Sequence, residues 1–207
     1  MLLTVVAVFG PLDRWAETHS GVHMVQHLLL IVVVAPLGAL ASPLPQWRAA
    51  TPHRWRRYWN ALAACGRSPL AAAILHAAAI WIWHAPRPYL LALGNPWWHW
   101  AEHASFVATG WLFWWAVLHA RRERLPQALL ALLMTLIHTG LLGALLSFAR
   151  VPLYAEADLH NQQLAGLVMW VPGALFYLAA AVWLAHRVLA STPRPRAGSA
   201  PSPVRSL

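Results

Sequence analysis

Apolar runs that approach or exceed ~18–20 residues recur along this chain, and no other feature constrains its fold as strongly. Lipid offers no partner to backbone amides, so a span must be a helix or part of a closed barrel. Runs of this length read as helices. The chain is 59% hydrophobic and 10% charged, where a soluble domain carries about 25% charge. The expected fold is an all-α, polytopic transmembrane bundle over residues 1–190, with a disordered basic tail over 191–207 rich in Pro, Ser, Ala and Arg.

About six spans are expected. The first, Met1 to Leu12, is short or truncated: twelve helical residues cover roughly 18 Å, which suggests that the start lies inside a longer span. The others run from Val22 to Ala41, with a kink expected at Pro36, and from Pro69 to Pro86, Trp97 to His119, Pro126 to Phe148 and Gln162 to His186. All fifteen basic residues are arginine, and they alternate between loops. Twelve fall on one side: Arg48, Arg54, Arg56, Arg57, Arg67, Arg121, Arg122, Arg124, Arg187, Arg194, Arg196 and Arg205. Arg14, Arg87 and Arg150 fall on the other. The positive-inside rule then makes both termini cytoplasmic. Arginines dispersed in this way argue against a nucleic-acid partner; the expected surroundings are a lipid bilayer.

Against that background the histidines stand out. His23 and His27, and again His99 and His103, are four residues apart and share one helix face. Both pairs open spans that run inward, so His27 and His103 lie about 6 Å deeper than their partners. The span ending at Pro86 brings His84 to the same level, and the segment His160, Asn161, Gln162 and Gln163 joins it from the last loop. Met24, Glu102 and Met169 are close in sequence. Imidazole suits copper, zinc and iron, and thioether sulfur favours Cu(I). The candidate metal ligands are therefore His23, His27, His84, His99 and His103, with Met24, Glu102, Asn161, Gln162 and Met169 in support; Glu102 would orient a ligand or carry protons.

The alternative for any one histidine is an interfacial or interhelical hydrogen bond, and this is the expectation for His19, His53, His119, His160 and His186. His76 and His138 lie mid-span, suited to a proton or ligand path or to hydrogen bonds near Thr135 and Thr139. Gly140, Gly143, Gly166 and Gly173 suit close helix packing. Cys65 is the sole cysteine, which removes disulfide and Cys-x-x-Cys chemistry. Ser20, Ser105 and Ser147 lack acid and base partners at informative spacing, so no enzyme is expected.

His23-Met-Val-Gln-His-Leu-Leu-Leu with Ala35-Pro36, Trp81-Ile-Trp-His-Ala-Pro86, Glu102-His-Ala-Ser-Phe106 leading to Phe113-Trp-Trp115, and Asn161-Gln-Gln through Gly173 together resemble the CtaG-type assembly factors of bacterial caa-type cytochrome c oxidase. The resemblance implies a multi-pass protein of the bacterial inner or plasma membrane. Its partners would be cytochrome c oxidase subunits, and its role copper handling for the catalytic subunit. Where the family commonly has an aspartate before the Gln-Gln pair, this chain has Asn161. Two other readings stay open. One is a haem-binding redox protein with His27 and His103, or His76 and His138, as axial ligands. The other is a ligand-free scaffold for oxidase assembly.

Overall fold

The computed structural model describes residues 15–16, 19–41, 49–154 and 158–190. The expected first span and the expected tail lie outside them. Among the described residues there is helix and no strand. We number the principal helices α1 (Ser20–Leu40), α2 (Arg56–Gly66), α3 (Pro69–Trp83), α4 (Pro86–Gly94), α5 (Pro96–Leu118), α6 (Leu125–Ser147) and α7 (Leu159–Ala190).

Their starts follow from local chemistry. Proline stands at the first turn of α3, α4, α5 and α6, where its missing N–H orphans nothing. Ser68 caps α3 by accepting from the Ala71 amide at 3.4 Å, and Asn95 caps α5 by accepting from the Trp97 amide at 2.9 Å.

Pro36 does not simply kink α1. A π-helical turn over Leu30–Val34 precedes it, with the Ala35 amide bonded to the Leu30 carbonyl. In that register the Ile31 carbonyl would bond residue 36, which as proline has no donor. The Trp114 indole of α5 supplies one, at 2.8 Å from the Ile31 oxygen. A sequence-local defect thereby becomes a tie between two helices.

Among the described residues, three helices are long and apolar enough to cross a membrane: α1, α7, and α6 taken from Arg122. A fourth is obtained if α2 and α3, which meet at a 100° bend, are counted as one broken span. This gives three to four candidate spans among the described residues, where five of the expected six fall; the expected first span lies outside them. Two segments account for the difference within the described residues. α3 is 15 residues long, roughly 22 Å, and falls short of the bilayer core. α5 has the length, at 23 residues, but its indoles, imidazoles and Glu102 make it less apolar than a lipid-solvated helix. The stretches expected as loops also hold helix, namely α2 and α4.

The bundle is apolar outside and polar within. Ile137, Leu175 and Val182 are more than 60% exposed, whereas His76, Gln26, Glu102, Gln162 and Thr135 are fully buried. Water would select the reverse arrangement; lipid tolerates this one. With no hydrophobic drive between helices in lipid, close approach matters. A Cβ on Gly166 would lie 2.6 Å from the Gly143 carbonyl oxygen and 2.7 Å from the Ser147 amide nitrogen. The α6–α7 seam therefore needs glycine at that crossing. A Cβ at Gly140 would make ordinary contact with Trp170 at 3.5 Å, so that position has no such requirement.

Candidate metal centre

α1 and α5 begin at the same end of the bundle, and α3 finishes there. The i,i+4 spacing sets His23 above His27 on α1, with ring centroids 4.2 Å apart, and His99 above His103 on α5, 4.1 Å apart. The two pairs face each other. His23 stacks on His99 at 5.3 Å with an interplanar angle of 19°, and His27 meets His103 edge-on at 5.2 Å.

Donor atoms of His23, His27, His99 and Glu102 all lie within 4.8 Å of one another. Glu102 sits in the middle of this group: its Oε2 is 4.0 Å from His23 Nε2 and 3.7 Å from His27 Nε2. Neither distance is a hydrogen bond. The Glu102 side chain is 1% exposed, and His23 and His27 are each 2% exposed. Both Glu102 oxygens, His23 Nε2, both ring nitrogens of His27 and both of His103 are buried with no hydrogen-bond partner. A buried polar group without a partner costs about 1–3 kcal/mol, and a charged one more. Their convergence on one point suits a cation, which satisfies several such atoms together. The donor set of imidazole and carboxylate fits a transition-metal ion.

His84 and His103, expected in the same ligand layer, stand beside this group of four. His103 packs on His99 and His27. His84, at the end of α3, has its ring 6.2 Å from His27 and its Nδ1 2.8 Å from the Ile80 carbonyl oxygen. Met24 and Met169 are buried and border a cavity beneath the cluster together with His27 and His84. Gln162 has a different task. Its Oε1 accepts from the Leu153 amide at 2.7 Å, and its Nε2 reaches the Leu146 carbonyl at 3.5 Å, which fastens the α6–α7 connection. Asn161, half-buried, is not among the four.

Two aromatic residues without a motif complete the site. Tyr89 of α4 lies 6.0 Å from His23 and stacks on Tyr154 at 3.8 Å, and the Tyr154 hydroxyl donates to the His84 carbonyl at 3.0 Å. Burial pushes both phenols above their ordinary value, so each keeps its proton near neutrality. Sequence reasoning missed both because α4 read as a loop; Pro86 after Ala85 was the available signal for a helix start. Phe106 packs on His27 at 4.9 Å and walls the deep side.

Deeper in the bundle, His76 bonds Thr109 Oγ1 at 3.0 Å; Thr135 and Thr139 instead donate to carbonyls of their own helix. Trp81 donates to His138 Nδ1 at 3.4 Å.

A family model described as the cytochrome c oxidase caa3 assembly factor matches residues 1–191. No curated protein and no solved structure matches the chain.

Proposed function

The chain belongs to the cytochrome c oxidase caa3 assembly factor family, and from that premise we propose that it carries copper as transient cargo for the nascent oxidase. His23, His27, His99 and Glu102 hold the ion, and His103 stands ready to exchange with His99 during loading or release. The single observation that supports this reading is the convergence of His23, His27, His99 and Glu102 on one point at one end of the bundle, with His23 Nε2, both His27 nitrogens and both Glu102 oxygens buried and without a hydrogen-bond partner. Cargo must leave again, so an open, exchangeable site serves this role better than a closed structural one.

The Arg-rich loops lie on the cytoplasmic side in this proposal. The cluster then opens toward the outer face of a bacterial plasma membrane, where the oxidase subunits receive copper. The protein itself transforms no substrate. Its residues bind, orient and release: Glu102 lowers the energy of a cation among the imidazoles, while Tyr89 and Tyr154 shield the cluster from water.

The test is in cells. A Glu102→Gln strain and a His27→Ala strain are expected to keep normal membrane levels of the protein and to lose most caa-type oxidase activity, with partial recovery on added copper. Full activity in both strains would overturn the proposal.

A further inference from the structure

Beneath the cluster, a cavity of about 30 Å³ is lined by Met24, His27, His84, Thr139, Met169 and Tyr177 among its walls. A space of this size holds one small ion or a water or two. Two of those residues are imidazoles and two are thioethers. They come from α1, α3 and α7, so no sequence spacing brings them together.

The two imidazoles are suited to ligation. His84 Nδ1 lies 2.8 Å from the Ile80 carbonyl oxygen; a carbonyl only accepts, so Nδ1 carries the proton and Nε2 keeps its lone pair. His27 has no hydrogen-bond partner on either ring nitrogen, and its ring borders both the cavity and the cluster. A metal-bound imidazole, with a metal–nitrogen distance of about 2.0–2.1 Å, places its ring centroid roughly 3 Å from the ion. The 6.2 Å between the His27 and His84 centroids therefore suits one ion shared between them.

The donor chemistry differs between the two places. The cluster offers three imidazoles and a carboxylate. The cavity offers two imidazoles and two neutral sulfurs, with Thr139 and Tyr177 as hydroxyl-bearing residues in an otherwise apolar wall. Neutral soft donors favour a monovalent soft cation over a divalent one, and the smaller charge also costs less to take from water.

We propose that Met24, His27, His84 and Met169 form a second metal site that takes Cu(I) and adjoins the His23–His27–His99–Glu102 cluster through the shared His27. This rests on the copper reading of the cluster and deepens it: an ion enters at the polar cluster and rests in the sulfur-lined cavity below.

The experiment uses the full chain, purified in detergent and loaded anaerobically with Cu(I), with Ag(I) as a parallel probe. Metal stoichiometry and K-edge X-ray absorption are the readouts. Wild-type protein is expected to show sulfur scatterers and a second metal equivalent, with the single His27 lone pair given to the cavity ion while His23, His99 and Glu102 keep that of the cluster. Met24→Leu/Met169→Leu, which nearly conserves volume, is expected to lose the sulfur signal and one equivalent, and to keep the other. His84→Gln is expected to lose the same equivalent and serves as an independent check should the double variant fold poorly. Wild-type copper bound by nitrogen and oxygen alone would overturn this proposal and leave the cluster reading standing. Wild-type protein that binds no metal would overturn both.

Discussion

Histidine occupies two layers of this bundle, and the layers differ in what their ring nitrogens touch. In the deep layer one side of each ring is anchored. Thr109 donates its hydroxyl to the Ser105 carbonyl at 2.7 Å, so its oxygen receives the proton of His76 Nδ1 across 3.0 Å. His138 accepts from the Trp81 indole. In the outer layer, His27 and His103 have no hydrogen-bond partner on either nitrogen, and Glu102 has none on either oxygen. The same residue type thus serves two ends. A histidine tied to a neighbouring helix contributes to packing; histidines left bare together around a carboxylate suit a cation.

The largest expected effect separates the layers by metal affinity. His27→Ala or Glu102→Gln should weaken copper binding by at least the ~10–100-fold that even an outer-shell partner contributes. His76→Ala should leave it unchanged. Competition with a chromophoric chelator reads both, and equal weakening by all three variants would abolish the distinction.

Second in size is the α6–α7 seam, which separates folding from binding. Gly166→Ala pushes a methyl against backbone atoms of α6 and should cost about 1–3 kcal/mol, seen as a lower melting temperature in detergent. Copper bound per folded molecule should not change. Thr109→Val comes next. It strands the His76 Nδ1 proton in the core, for about 1–3 kcal/mol and again no change in copper; a drop in copper would mean that the deep layer supports the outer one.

The smallest effect concerns Trp114→Phe, which removes the donor to the Ile31 carbonyl. Interhelical hydrogen bonds in membranes average about 0.6 kcal/mol. In a Pro36→Ala background, where residue 36 regains an N–H, that loss should shrink toward zero. An equal loss in both backgrounds would contradict the account of the π turn.

Much of the outer layer was legible because helical period alone pairs His23 with His27 and His99 with His103. Depth counting along antiparallel helices then placed both pairs at one level. The final membership was not legible. Whether Glu102, His103 or His84 completes the set depends on how α5 turns about its axis and where α3 ends, and both are decided by packing against α1. Met24 and Met169 meet His84 only through tertiary structure. The helices α2 and α4 were hidden by Arg and Pro, which mark loops in composition yet open helices here. Pro36 announced a break in α1, but the π turn also needed the Trp114 indole from 83 residues away.

The central claim is that the bare outer donors bind copper. Its most direct test is the copper content of detergent-purified, folded, copper-challenged protein, with His27→Ala and His76→Ala in parallel. The account predicts near-stoichiometric copper in the wild type and in His76→Ala, and background copper in His27→Ala. Folded wild-type protein that emerges from the challenge without copper would contradict it.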